Sequence, residues 1–222
     1  LTQFKINKLP TYKHIVDRYL YTAKSLGVVN DNEGLDYFIP DKDQVNIKTL
    51  YPKLTNEFVA IVIGAKFSTK RLPYLKIVDI CNQLEMPIVL LGGLDDLARG
   101  EEILNKSSNR NIVNTCGRLN LNQSASMVSQ AKIVVTHDTG LMHIAAAFKK
   151  DIVSIWGNTV PELGMYPYLP SGKFKVVQVK GLDCRPCSKI GYKKCPKQHF
   201  DCMQKIETKQ VLSEIDYYLK PA

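Results

Sequence analysis

IVVTHDTGLMHIAAA, residues 133–147, decides how the rest of the chain is read. A β-branched run, Ile133 to Val135, stops at Thr136-His137-Asp138; Thr139-Gly140 follows, and an Ala-rich helical pattern begins. The order is strand, tight turn, helix. A helix start leaves backbone N–H groups unpaired and carries the positive end of the helix dipole, so it attracts phosphate. Gly140 lets a phosphate come close to the backbone. Thr139 and His143 lie four residues apart and share a helix face, where both can meet a diphosphate. The competing reading makes Asp138 an ordinary helix cap and His143 a satisfied core histidine. The convergence of three polar groups on one helix start favours a phosphate-bearing ligand, a nucleotide above all.

Working outward, the same rhythm repeats. The continuous apolar run at 58–63 reads as a strand buried on both faces, and further strands follow at 87–91, 111–115, 133–136, 152–155 and 174–179. Helical patterns fall between them at 73–85, 95–106, 122–131 and 139–148, with a last helix at 207–219. Pro73 suits a first turn, and Asn122 and Thr208 are candidate caps. Strands alternating with helices predict an α/β domain, a Rossmann-like doubly wound parallel sheet. Ligands of such sheets bind at the carboxyl ends of the strands, which puts loops 64–72, 92–96, 116–121 and 136–140 on one rim. Upstream, residues 12–26 read as a helix with Ile15, Tyr19, Ala23 and Leu26 on one face and Gly27 as its stop. Residues 30–57 are polar and read as a connector with one short strand. The expected organisation is a linker with a helix over 1–57 and a ligand-binding domain over 58–222.

The chain has 222 residues, a formal net charge of +9 and 45% hydrophobic residues, enough for a large core. No apolar run approaches the roughly 18 residues of a membrane-spanning helix, and the N-terminus has no apolar signal core. It starts with Leu, as a fragment or a processed chain does. The basic balance favours anionic partners. No nucleic-acid motif accompanies it, so solubility or proximity to a membrane face is the preferred reading, with the cytoplasm and its side of the membrane as the compartment.

Two further loops carry chemistry. Gly64-Ala65-Lys66-Phe67-Ser68-Thr69-Lys70-Arg71-Leu72-Pro73 follows a strand and precedes a helix; a lysine there can neutralise a leaving diphosphate. Leu91-Gly92-Gly93-Leu94-Asp95-Asp96 places carboxylates just after a strand, where one can accept ribose hydroxyls. Cys184, Cys187, Cys195 and Cys202 crowd into one segment with His199 nearby. The Cys-x-x-Cys half suits a structural zinc, but the second pair is loosely spaced, so zinc, disulfides and free thiols all stay open. Cys81 and Cys116 read as small core residues, and Trp156 as packing or rim lining.

Taken together, the loop ending Lys-Arg-Leu-Pro, the Gly-Gly-x-x-Asp turn, Gly117-Arg118-Leu119-x-Leu121, Asp-Thr-Gly-Leu-Met-His and Trp-Gly-x-Thr-x-Pro resemble glycosyltransferase family 9, the lipopolysaccharide heptosyltransferase family. The resemblance spans about 58–170, and the Cys-Arg-Pro-Cys segment looks like a variant of some members. It implies the C-terminal, donor-binding half of a GT-B fold, binding a nucleotide-sugar such as ADP-heptose for inverting transfer to a lipopolysaccharide or related glycan acceptor, without an obligatory metal. By position, Lys70 matches the lysine at the donor diphosphate, and Thr139, Gly140, Leu141 and His143 match the diphosphate turn beside Asp138. Asp95 sits near the ribose-binding acid, and Leu119 by the base. The catalytic carboxylate of the family belongs to an N-terminal domain for which there is no room before residue 58. No catalytic residue is therefore expected here, Lys70 serving at most to stabilise the leaving group. The expectation is a domain that binds nucleotide and transfers no sugar alone. Two rivals remain: a sugar-nucleotide epimerase-like GT-B domain, and a zinc-stabilised nucleic-acid-binding module.

Overall fold

Residues that alternate between neither face, only apolar ones, form strands when both sides of a sheet are covered, and this is what the central runs do. The computed structural model describes residues 14–52, 54, 57–170, 172 and 174–220. Strands β1 (Val59–Val62), β2 (Ile88–Leu91), β3 (Ile112–Asn114), β4 (Ile133–His137), β5 (Asp151–Trp156) and β6 (Phe174–Gln178) form one sheet in the order β3-β2-β1-β4-β5-β6. Every pairing is parallel. This is the doubly wound order, and it reverses direction between β1 and β4.

Helices α1 (Ile15–Thr22), α2 (Ile47–Leu50), α3 (Tyr74–Gln83), α4 (Leu97–Lys106), α5 (Leu121–Gln130), α6 (Gly140–Ala147), α7 (Asp201–Gln204) and α8 (Thr208–Leu219) complete the described chain. The pleat divides the strand side chains between two cores. Ile61, Leu90, Val135 and Ile155 meet Ile77 of α3, Ile103 of α4 and Ile215 of α8. Val62, Leu91, Val134 and Ile152 meet Met127 of α5 and Met142 of α6 on the other face. Trp156 belongs to this second core, fully buried, its indole N–H donated to Ser154 Oγ at 3.1 Å. Cys81 and Cys116 are buried core thiols, each pushed up to about 12 first of all by burial.

The expected strands and helices form, with boundaries moved by a residue or two at most of the ends. Several local readings change. Asn120, rather than Asn122, caps α5: its side chain accepts from Gln123 N–H at 2.8 Å while the Gln123 side chain accepts from Asn120 N–H at 3.0 Å. That reciprocal capping box satisfies two orphan donors, and Asn122 is left to reach Asp43 at 2.8 Å. Thr208 does not cap α8; its hydroxyl turns to Asp79. The short strand expected in the connector is absent among the described residues, which hold a 3₁₀ turn at Asp41–Asp43 and the helix α2. Asp43 takes amide donors from both Asn120 and Asn122, and Val45 binds Ser126 and Gln130 through its backbone. Side-chain hydrogen bonds dock this segment on α5, so it needs no strand pairing.

The N-terminal helix is shorter than its sequence pattern: α1 is followed by a 3₁₀ turn at Lys24–Leu26, which Gly27 closes in the left-handed conformation at φ 78°. Positions 12 and 13 of the expected helix lie outside the described residues. Tyr19 and Leu26 on its apolar face stay exposed. The helix is held at its polar end instead, by Ile15 N–H to Gly164 O at 2.7 Å and Arg18 to Leu163 O at 2.8 Å.

Candidate functional site

The loops leaving β1 and β4 flank the point where strand order reverses, the place where sheets of this kind open a crevice. Lys70 comes from the first and Asp138 from the second. The Lys70 ammonium lies 2.7 Å from Asp138 Oδ2 and 3.2 Å from the Asp138 carbonyl, with both side chains largely buried. Thr159, from the loop after β5, donates its hydroxyl to the same Oδ2 at 2.8 Å. An ammonium has three donors, so one of Lys70's remains for a ligand.

Asp138 is therefore not a helix cap. The capping position of α6 is Thr139, whose side chain makes no capping bond. The helix start thus faces outward with its amide donors uncapped by side chains. A Cβ added to Gly140 would meet nothing within 4 Å, so open space lies directly over this turn. His143 stands one turn on, half-buried; its pKa is lowered by burial, then raised by Asp138 and lowered by Lys70. The pair, the open turn and the imidazole are within electrostatic reach of one another. They form an anion-receptive cluster whose cation, Lys70, is held by Asp138 alone.

The other expected residues line the same rim. Leu119 is partly buried against the second core in the loop after β3. Leu141 is likewise half-buried at the start of α6. Asp95 is exposed and opens on a groove of about 480 Å³ shared with Arg71, Tyr74, Arg99 and Glu102. Its neighbour Asp96 is buried and accepts from Gly93 N–H at 3.0 Å and from Arg71 Nη1 at 3.2 Å.

Three contributors escaped the sequence reading. His137, the last residue of β4, is fully buried, and its Nε2 accepts Leu72 N–H at 2.9 Å. It ties the end of the β1 loop to the strand that carries Asp138. Burial first of all lowers its pKa to about 4, so it is neutral at pH 7. Thr159 is the second. His14 is the third: it caps α1, packs edge-on against Tyr166 and tilted against Tyr168, and its pKa is lowered first by burial, with His143 adding to the lowering and a hydrogen bond to Tyr166 opposing it. A His at a strand end and a Thr in Gly-x-Thr were visible as residues; their partners, far off in sequence, were not.

The Cys-rich segment braces this site from two sides. Tyr192 N–H donates to Thr69 Oγ1 at 2.8 Å and Thr69 N–H to Tyr192 O at 3.2 Å, next to Lys70. Cys187 N–H donates to Asn158 O at 3.1 Å, and Arg185 Nη2 to Thr159 O at 2.9 Å, next to the hydroxyl that holds Asp138. Cys202 is buried and its thiol is pushed up to about 12, chiefly by burial. Among the described residues no group of three or more His, Cys, Asp and Glu is placed to hold a metal ion.

The family model for glycosyltransferase family 9 (heptosyltransferase) matches residues 1–197. Lipooligosaccharide heptosyltransferase 2 of Haemophilus influenzae is 35% identical over 179 residues, covering 73% of this chain and 51% of the relative. The glycosyl transferase family 9 structure from Veillonella parvula superposes with a TM-score of 0.77 at 19% identity, over 94% of this chain and 60% of that one. The E. coli heptosyltransferase WaaC with ADP-2-deoxy-2-fluoro heptose gives a TM-score of 0.61 at 19% identity, over 95% of this chain and 58% of that one. The chain spans about half the length of the relative from H. influenzae. Its sheet, its motifs and the extent of these matches agree: the chain belongs to glycosyltransferase family 9.

Proposed function

We propose that this chain is the donor-binding part of an inverting heptosyltransferase-like enzyme. In this reading the diphosphate of a nucleotide-sugar rests on the start of α6, against the turn of Thr139, Gly140 and Leu141, with His143 as a further donor. Lys70 turns from Asp138 to the phosphate and neutralises charge on the leaving nucleoside diphosphate as the sugar bond breaks. Asp95 takes the ribose and Leu119 the base. The Lys70–Asp138 pair at the switch point carries the proposal, because it stores a cation beside an open helix start.

ADP-heptose is the proposed donor, since the E. coli relative was solved with an ADP-heptose analogue. The proposed acceptor is a lipopolysaccharide or related glycan, engaged by the part of the enzyme that the longer relatives add, together with the catalytic base. No obligatory cofactor enters this reading.

Calorimetric titration with ADP, UDP and GDP tests it. ADP binds, and Lys70→Ala and His143→Ala each weaken it, Lys70→Ala by about tenfold, the scale of one lost charge-assisted hydrogen bond. Binding of no nucleotide, or binding indifferent to both substitutions, would sink the proposal. Sugar transfer by the isolated 222-residue chain would contradict the placement of the base elsewhere.

A further inference from the structure

The Cys-rich segment carries a surface that donor binding does not use. Lys189, Lys193, Lys194 and Lys197 all stand exposed on it, and so do Ile190 and Tyr192. Lys66, also exposed, joins them from the β1 loop, whose Phe67 packs under Gly191. None of these five lysines has an acidic partner within ion-pair distance among the described residues.

The apolar tip is held out by the local structure. Ser188 Oγ accepts both Ile190 N–H at 3.2 Å and Gly191 N–H at 2.6 Å. Gly191 has φ 119°, and a Cβ there would lie 2.6 Å from Phe67 Cβ, so only glycine lets the loop seat this closely. Tyr192 is fixed to Thr69 through its backbone and donates its hydroxyl to Cys187 O at 3.2 Å. Ile190 is thereby 58% exposed in the midst of lysines, on a loop whose turn is closed by hydrogen bonds.

We propose that residues 189–197, with Lys66, form a docking surface for an anionic lipid bilayer. Lysines concentrate at a negative headgroup layer, and an apolar side chain at their centre enters the boundary below it. Ile190 and Tyr192 are the exposed apolar side chains of this loop, and the Tyr192 hydroxyl is tied back to Cys187 O. One aliphatic and one tethered aromatic side chain suit a bilayer boundary better than a nucleic acid, which rewards successive stacking aromatics along a charged groove. Because the same loop is bonded to Thr69, next to Lys70, docking would set the rim of the donor site at the lipid surface. The surface itself stands independently of the donor reading.

Vesicle co-sedimentation of the 222-residue chain tests it, with phosphatidylcholine alone against an equal mixture with phosphatidylglycerol. The chain should bind the mixed vesicles and not the neutral ones, and lose binding as salt rises from about 0.1 to about 0.5 M. A variant with Lys189→Ser, Lys193→Ser, Lys194→Ser and Lys197→Ser should bind at least about tenfold more weakly, and Ile190→Ser about threefold more weakly. Circular dichroism establishes that each variant is folded, and the ADP titration, unchanged by these substitutions, separates this outcome from failure of the donor reading. Equal binding to both vesicles, full retention by the lysine variant, or tighter binding to a labelled oligonucleotide than to vesicles would overturn the proposal.

Discussion

Lys70 and Arg71 are consecutive, both cationic, and each reaches a buried carboxylate on a different loop, yet the structure uses them in opposite ways. Arg71 is locked: its Nε donates to Ala65 O at 2.7 Å and its Nη1 pairs with Asp96. Asp96 in turn holds Gly93 N–H, and a Cβ on Gly64 would lie 2.1 Å from its Oδ2, so the carboxylate fills the space that a side chain would need. Lys70 hangs from a single residue, Asp138, beside open space at the start of α6. A planar guanidinium with fixed donors makes a staple; a flexible ammonium with a spare donor makes a movable charge. One cation joins the β1 and β2 loops, and the other faces the crevice.

The largest effect that separates the two should come from Asp96→Ala. It strands the Arg71 guanidinium and the Gly93 N–H, and should cost about 3 kcal/mol of stability, discounted from a fully buried pair because Arg71 is partly exposed. Urea unfolding measures it. The folded variant should keep ADP affinity within about threefold, against about tenfold for Lys70→Ala. If instead Asp96→Ala abolishes nucleotide binding while leaving stability intact, the roles assigned to the two cations are reversed.

His137 sharpens the comparison through pH, since it couples the loop of both cations to β4. Its pKa falls from 6.5 to about 4 on folding, chiefly by burial. The unfolded chain therefore binds the proton more readily than the native one. This contribution is complete above pH 6.5 and is lost as pH falls towards the folded value. Between pH 8 and pH 5 the expected loss from this residue is about 2 kcal/mol. His137→Gln keeps an acceptor for Leu72 N–H and removes the titration, so its unfolding free energy should depend less steeply on pH over that range. Parallel slopes for the two proteins would remove His137 as the cause.

The contrast between the cations was partly legible in the sequence, and the reason for the part that was not is physical. A parallel strand covered on both faces is written as an apolar run, which marks β1 and β2 outright, while β3 to β6 carry polar residues and are located by their β-branched content and by the helical patterns between them. The helix start at Thr139-Gly140 was legible because its turn chemistry is local. Asp95 and Asp96 were not separable: they are adjacent, and only the 3₁₀ turn at Leu94–Asp96 decides that Asp96 points inward and Asp95 faces solvent. Thr159 and His137 find partners 21 and 65 residues away, which no spacing rule encodes. The connector over 30–57 failed for the complementary reason. It docks through Asp43, Tyr37 and Val45 to α5 by side-chain bonds, and these leave no periodic trace.

The smallest expected effect probes whether the movable cation depends on the Cys-rich segment behind it. Thr69 is buried, and its hydroxyl both accepts Tyr192 N–H and donates to Tyr192 O at 3.0 Å. Thr69→Val keeps the shape but leaves Tyr192 N–H without its acceptor, at a cost of about 1 kcal/mol. If the segment steadies the loop carrying Lys70, this variant should also bind ADP about threefold more weakly, a share of the preorganisation that the rigid loop supplies. Thr69→Ser, which retains the hydroxyl, should recover that affinity even though it gives up a buried methyl group and some stability with it. A Ser variant as weak as the Val variant would assign the effect to packing rather than to the hydrogen bonds, and would detach the Cys-rich segment from the donor site.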